Sequence, residues 1–136
     1  MTILEEQKKI AMEARELIKE YRDIMLVFGA EPYKSIEVNE TYDMITTIYE
    51  DNSKREYGIE EVSGEIHREL YGFGCYSGVF FEEVDLCKDE YELKNKYKEL
   101  SKEEFIEYVG KIHYAEFRCV EICERLEEIE SEFCAL

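Results

Sequence analysis

The hydrophobic pattern predicts a long amphipathic helix over residues 3 to 28. Apolar side chains recur three and four positions apart, which places them on one helical face, while charged residues fill the other face. Thr2 is suited to cap the first turn, and Gly29 followed by Pro32 favours an end to the helix. The predicted stripe consists of Ile3, Gln7, Ile10, Ala14, Leu17, Tyr21, Ile24 and Phe28, widened by Ala11, Ile18 and Met25.

The C-terminal third has the same periodicity and a clear start signal. The sequence SKEE at 101–104 is a capping box, in which Ser101 caps the amide three residues on and Glu104 reaches back. Residues 91–100 predict a shorter helix that ends at this cap. The apolar face of the long helix is predicted to contain Phe105, Val109, Ile112, Cys119, Cys123, Leu126 and Phe133, broadened by Ile106, Phe117 and Val120.

The middle of the chain fits two patterns. As helices, it would carry two apolar stripes, one formed by Ile59, Val62, Ile66 and Leu70 and the other by Tyr76, Val79, Phe80 and Val84. As strands, it would use turn signals at DNSK (51–54), SG (63–64), GFG (72–74) and SG (77–78). The β-branched run MITTIY and four glycines between 64 and 78 favour strands.

A pairing test favours the sheet. A two-residue turn at Ser63 and Gly64 sets Glu61 opposite Ile66, Ile59 opposite Arg68 and Tyr57 opposite Leu70. One face would then be apolar, and Glu60, Glu65, His67 and Glu69 would share the other. We therefore predict an α+β fold with a long N-terminal helix, a central antiparallel β-meander over about 41–87, and C-terminal helices. An all-α helical bundle is the alternative.

Length and composition favour one intracellular domain. A chain of 136 residues with 45% hydrophobic residues suits a single core, so we predict one domain over residues 1–136. The N-terminal residues lack the pattern of a secretory signal, and the longest apolar run, Ile24 to Phe28, is far below the ~20 residues of a membrane helix. Five cysteines, an odd number without a CxxC pair, are typical of reduced thiols, so we expect a cytoplasmic protein.

The formal net charge of −17 restricts the partners. Residues 59–92 carry ten acidic and two basic side chains, whereas residues 1–30 carry six and five. Such an excess argues against binding nucleic acid or an anionic membrane surface, because both are polyanions that require lysine and arginine. The expected macromolecular partner is a basic, nucleic-acid-binding protein.

The acidic stretch is therefore predicted to be a partner-binding surface. Carboxylates that alternate on a strand, or lie three and four apart on a helix, repeat at about 5 to 7 Å, a spacing that a lysine- or arginine-lined groove can accept. The predicted partner-binding residues are Glu60, Glu61, Glu65, Glu69, Glu82, Glu83, Asp85, Asp89 and Glu90, and Glu121, Glu124 and Glu128 form a second row. Eleven tyrosines add aromatic interface contacts.

In composition the chain is similar to small phage-encoded inhibitors that block nucleases, restriction enzymes or CRISPR effectors by occupying a nucleic-acid site. This resemblance is one of type and involves no motif. It implies a nucleic-acid mimic of the anti-CRISPR or anti-defence kind, without a cofactor, which would act in the host cytoplasm.

A second resemblance concerns an enzyme family. Glu60, Glu61 and Glu65, followed by Glu82 and Asp85, resemble the EExxE and ExxD carboxylates of the all-α nucleoside triphosphate pyrophosphohydrolases of the MazG and dimeric dUTPase type. In that family the carboxylates hold Mg²⁺, which orients an attacking water. Here the spacing is EExxxE and Gly64 interrupts the predicted helix, so we expect no such hydrolysis and no enzyme activity.

Two further possibilities need no acidic surface. The protein could be a helical adaptor or homodimer that uses the apolar stripe of its first helix, with its charge serving only solubility. Cys119 and Cys123 lie one helical turn apart with His113 nearby, but without a second close pair we interpret them as buried apolar residues and predict no metal site.

Overall fold

The computed structural model describes residues 1–27, 30–73 and 101–136. Helix α1 spans Ile3–Leu26, and strands β1, β2 and β3 span Tyr33–Val38, Met44–Tyr49 and Lys54–Gly58. A short 3₁₀ turn, Ile59–Glu61, leads into α2, Val62–Phe73, and α3 spans Lys102–Cys134. These elements confirm the predicted α+β class, and the three-stranded sheet makes the all-α alternative wrong.

Contacts group the chain into two compact units. The first comprises Met1–Ile66 and Cys119–Leu136, and the second comprises His67–Arg118. The first unit therefore holds α1, the whole sheet, the start of α2 and the end of α3. Organisation of the chain as one domain stays a prediction. None of the helices in the described ranges is long and apolar enough to cross a membrane.

Helix α1 begins as predicted but buries a narrower face. The Thr2 hydroxyl accepts a hydrogen bond from the Glu5 amide at 3.1 Å, which confirms the N-cap. The buried positions are Ala11, Ala14, Ile18, Tyr21, Arg22 and Met25. Ile3, at the head of the predicted stripe, is 61% exposed. The buried face thus combines Ala14 and Tyr21 of the predicted stripe with all three residues that widened it.

The sheet has the order β1-β2-β3 with antiparallel neighbours. Alternate residues of β2, namely Ile45, Thr47 and Tyr49, are buried. Ile36 of β1 lies opposite Thr47, and Tyr57 of β3 lies opposite Ile45, so they share this inner face. The β-branched composition of MITTIY therefore predicts β2 correctly.

The turn after β2 also follows its sequence signal. Within DNSK, Asn52 has a positive φ of 69°, a conformation that asparagine tolerates. The Asp51 carboxylate accepts hydrogen bonds from the amide and hydroxyl of Ser53 at 2.9 and 2.5 Å, and the Ser53 hydroxyl is the main cause of a lowered pKa of Asp51. These contacts close the turn locally.

The predicted hairpin at Ser63 and Gly64 is wrong, since both residues lie inside α2. The meander accordingly ends at Gly58 rather than near residue 87, and residues 74–87 lie outside the described ranges. Val62, Ile66 and Leu70 are fully buried, as the alternative helical stripe requires. Burying each contributes about 1.5–3 kcal/mol, which exceeds the cost of about 1 kcal/mol for a glycine in a helix.

Helix α3 starts at the predicted capping box. The Glu104 amide donates to the Ser101 hydroxyl at 3.2 Å, and the Ser101 amide donates to the Glu104 carboxylate at 3.4 Å. Its buried positions are Ala115, Cys119, Ile122, Cys123, Leu126 and Ile129. Phe117, assigned to the apolar face from the sequence, is instead 67% exposed. The predicted helix at 91–100 lies outside the described residues.

Candidate functional site

Negative charge is concentrated in the first unit. Its two segments carry 22 acidic and nine basic residues, a formal balance of −13, against 12 and eight in the second unit, a balance of −4. The sequence places the greatest excess at 59–92, but the fold adds the last 18 residues to the first unit. That segment brings six glutamates and a single basic residue, Arg125.

The predicted row on α3 lies on one exposed face. Glu121, Glu124 and Glu128 are exposed, whereas Ile122 and Leu126 between them are fully buried. Side chains three and four apart on a helix are neighbours with about 5–6 Å between their Cβ atoms. The three glutamates therefore form a line of carboxylates at nearly regular spacing.

Arg125 offsets only part of this charge, because it is shared among three glutamates, one of which is Glu128 of the row. Its guanidinium donates to both carboxylate oxygens of Glu13 on α1, at 2.5 and 2.8 Å, and to Glu128 and Glu132 at 3.3 and 3.1 Å. Hydrogen bonding to Arg125 lowers the pKa of Glu13, and Glu13 and Glu132 raise the pKa of Arg125. One positive charge thus serves three carboxylates.

The partner-binding residues predicted between 60 and 90 fall into three groups. Glu60 and Glu61 are exposed in the 3₁₀ turn, and Glu65 is half-buried on α2. Glu69 is also half-buried but belongs to the second unit. They follow helical geometry, so the predicted alternation along a strand is wrong. The remaining predicted residues lie outside the described ranges: Glu82, Glu83, Asp85, Asp89 and Glu90.

One contact joins the start of α2 to the acidic end of α3. The Glu130 carboxylate accepts a hydrogen bond from the Ser63 amide at 2.5 Å, across 67 residues of sequence. Ser63 lies in the first turn of α2, where backbone amides have no helical partner and the helix dipole favours an anion. Through this contact the turn carrying Glu60 and Glu61 is fixed beside α3.

Sequence reasoning missed the long-range contacts made by Glu13, Arg125 and Glu130. Glu130 follows Ile129 on the last helix, and no local spacing relates it to Ser63. The useful signal was that a single arginine stands among six glutamates in residues 119–136. We use the name acidic surface for two sets of exposed carboxylates in the first unit, Glu60 and Glu61 in the turn before α2 and Glu121, Glu124, Glu127 and Glu128 on α3.

Glu60, Glu61 and Glu65 of the pyrophosphohydrolase-like motif lie in the described part of the chain, whereas Glu82 and Asp85 do not. No group of three or more histidine, cysteine, aspartate or glutamate side chains is placed to hold a metal ion within it. Glu61 accepts a hydrogen bond from the Gly58 amide at 3.4 Å, so it helps to cap the turn. Cys119 and Cys123 are buried thiols, as expected of apolar core residues.

Comparison of the chain with protein-family models, curated proteins and solved structures found no match. The chemistry of its surfaces is therefore the basis for a functional proposal.

Proposed function

We propose that this protein is an inhibitor that presents carboxylates as a nucleic-acid mimic to a basic, nucleic-acid-binding protein. The observation that carries the proposal is the row of Glu121, Glu124 and Glu128 along the exposed face of α3. The turn with Glu60 and Glu61 is held beside the same helix by Glu130. The acidic surface is thus built on secondary structure rather than on a free tail.

The spacing of these carboxylates suits a cationic groove. A nucleic-acid strand carries one phosphate per 3.4 Å of duplex axis, so a protein that binds it places lysines and arginines at short intervals. Carboxylates about 5–6 Å apart can meet several of these cations, and arginine binds carboxylate in the same bidentate way as phosphate. A rigid helix would present them without the entropy loss of ordering a flexible segment.

Mimicry of this kind leads to competition. A target occupied by the acidic surface cannot bind DNA or RNA at the same groove, which is how an anti-defence inhibitor would block a nuclease or a CRISPR effector. Long-range attraction between opposite charges would also speed association, and salt would weaken it over the ~8 Å Debye length of physiological buffer.

The alternative adaptor function finds less support, because the middle of its proposed surface lies in the chain's own core. Ala14 and Ile18 of α1 are completely buried, so these positions are not exposed for a partner. A homodimer through the N-terminal helix stays a prediction, and its exposed apolar residues include Ile3 and Leu4.

The decisive experiment compares two triple charge reversals. The test variant changes Glu60, Glu124 and Glu127 to lysine on the acidic surface. The control changes Glu40, Glu50 and Glu56 to lysine at exposed positions in the turns and on β3. Both raise the formal net charge from −17 to −11, so only the position of the charge differs.

The proteins are used to capture partners from nuclease-treated bacterial lysate, and each captured protein is then tested for binding to labelled DNA and RNA. We expect the wild type and the control to displace the nucleic acid, and the test variant to bind at least about tenfold more weakly. Equal binding by both variants would overturn the proposal, as would a captured partner that binds nucleic acid and inhibitor together.

A further inference from the structure

A groove on the first unit has a chemistry opposite to that of the acidic surface. It lies where α1 runs beside β1 in the opposite direction. Along this line Lys8 lies 5.8 Å from the centre of the Tyr42 ring, the Arg15 Nε donates to the Ile36 carbonyl at 2.7 Å, and Asp23 accepts from the Tyr33 hydroxyl. The sequence numbers rise along α1 as they fall along the facing residues, which establishes the antiparallel arrangement.

Strand β1 is an edge of the sheet, and its hydrogen-bond pattern leaves backbone groups facing outward. The Asn39 amide donates a hydrogen bond to the Met44 carbonyl. In an antiparallel ladder every second opposing pair is hydrogen-bonded, so the next bonded pair is Glu37 with Thr46. Ile36 and Val38 belong to the non-hydrogen-bonded pairs in between, so their backbone amides and carbonyls point away from β2. The hydrogen bond from Arg15 to the Ile36 carbonyl agrees with this assignment.

The two ends of this edge differ. Pro32, the irregular register between Tyr33 and Ser35, and the Arg15 contact protect the N-terminal half against pairing with another strand. At Val38 the edge borders an open groove of about 620 Å³. Met12, Ile36 and Val38 provide its apolar lining, whereas Lys8, Arg15 and Asn39 are polar. This volume lies in the range of about 300–1,000 Å³ that is typical of ligand sites.

We infer that this groove binds an extended peptide with acidic side chains, which adds a fourth strand beside β1 at Val38. Strand addition would satisfy the outward amide and carbonyl of Val38, and an apolar side chain of the peptide would cover Met12. Lys8, Met12 and Arg15 lie along one wall, and Lys8 and Arg15 are seven residues apart, hence about 10 Å along the helix. Acidic side chains four residues apart in an extended peptide share one face and lie about 13 Å apart, and the long side chains of lysine and arginine can reach both. Glu37 is the one acidic residue of the lining, so the cations outnumber it.

The charge contrast selects the occupant. In a chain with twice as many acidic as basic residues, two cations on one wall of an open groove favour a partner that is locally acidic. Arg15 also pairs with Glu16, so Lys8 provides the more accessible charge. This inference does not depend on the mimic function, because the acidic surface uses other residues.

The test uses a labelled heptapeptide, threonine–glutamate–threonine–valine–threonine–glutamate–threonine, in which the valine and both glutamates lie on one face of an extended strand. We call it the valine–glutamate peptide, and its controls are a valine–lysine peptide, with lysine in place of both glutamates, and an N-methylated valine–glutamate peptide. Binding is followed by fluorescence anisotropy. We expect saturable binding of the valine–glutamate peptide, and at least about tenfold weaker binding of both controls, because one loses the charge match and the other loses backbone donors. Amide exchange at Val38 should slow when the peptide is bound.

Two matched pairs of variants locate the site. Lys8→Glu and Val38→Pro should each weaken binding about tenfold or more. Lys9→Glu places the same charge change outside the groove, and Glu56→Pro removes an outward amide on the opposite edge of the sheet, so both should bind as the wild type. If Val38→Pro fails to fold, Lys8→Glu and the N-methylated peptide still decide. Equal binding of the two charged peptides, no effect of Lys8→Glu, or occupation of the edge by a second copy in sedimentation analysis would overturn the inference.

Discussion

The contact between Glu130 and Ser63 gives the sharpest test of how the acidic surface is built. Replacing Glu130 by alanine removes the acceptor that lies 2.5 Å from the Ser63 amide. Ser63 is only 6% exposed, so water replaces this acceptor poorly. We expect the variant to be less stable and the turn with Glu60 and Glu61 to lose its fixed position beside α3.

The magnitude follows from the lost hydrogen bond and from a smaller effect that opposes it. A hydrogen bond to a charged group contributes about 1.5–3 kcal/mol, and a side chain that caps a helix N-terminus contributes about 0.5–2 kcal/mol for the same bond. The favourable interaction with the helix dipole, about 0.3–1 kcal/mol, is included in these values. Opposing them, removing one carboxylate from a chain of net charge −17 relieves repulsion by a few tenths of a kcal/mol. The expected loss is therefore about 1.5–2.5 kcal/mol.

The assay is equilibrium unfolding in urea, followed by circular dichroism at neutral pH. Glu127→Ala is the matched control, because Glu127 lies one helical turn earlier, is exposed, and loses the same charge. Glu130→Gln keeps an acceptor without the charge and should lose about half as much free energy of unfolding as the alanine variant. A difference below about 0.5 kcal/mol between Glu130→Ala and Glu127→Ala would refute the reasoning, since surface substitutions alone vary by that amount.

Three further predictions concern the first unit. Thr47→Val should lower the free energy of unfolding by about 1–3 kcal/mol, because the buried Arg22 Nε loses its acceptor at 2.7 Å, whereas the same change one residue earlier, on the outer face of β2, should have little effect. The pKa of Glu13 is lowered by its hydrogen bond to Arg125. The ionised Glu13 therefore contributes to the free energy of unfolding above pH 4.5, and this contribution is lost as pH falls through the folded-state pKa. The difference in unfolding free energy between wild type and Glu13→Gln, below about 1 kcal/mol for this exposed pair, should shrink in urea titrations toward pH 3, and a constant difference would contradict it. Gly64→Ala should increase the free energy of unfolding by about 0.5–1 kcal/mol and so raise the midpoint of thermal unfolding, because a Cβ at this helical position meets no atom within 4 Å. A lower midpoint would instead indicate a turn.

The sequence alone determined the elements whose signals are local. Thr2 and the Ser101–Glu104 pair form their caps with amides three residues away, so the contacts that start these helices are visible in the sequence itself. The same applies to β2, because four of the six residues of MITTIY are β-branched, and to the turn at Asp51, whose hydrogen bonds span two residues. The negative charge and the row on α3 could be predicted for the same reason, as they depend on composition and helical spacing.

The tertiary structure decided the segment from Ile59 to Phe73. Its apolar residues fit a hairpin and a helix almost equally, and a two-residue turn at Ser63 and Gly64 satisfies local rules. The helix is selected by burial of Val62, Ile66 and Leu70 and by an acceptor supplied by Glu130 from 67 residues away. Neither effect appears in the local pattern, because both exist only after distant elements pack together.

Packing of distant elements also explains how the acidic surface and the groove form. The acidic surface depends on α3 joining the first unit, which brings Arg125 to Glu13 across 112 residues. The groove depends on α1 lying beside β1, which brings Arg15 to Ile36 across 21 residues. Residue types set the charge of each surface, but long-range packing set which of these residues meet, because side-chain contacts over such separations carry no periodic signal in the sequence.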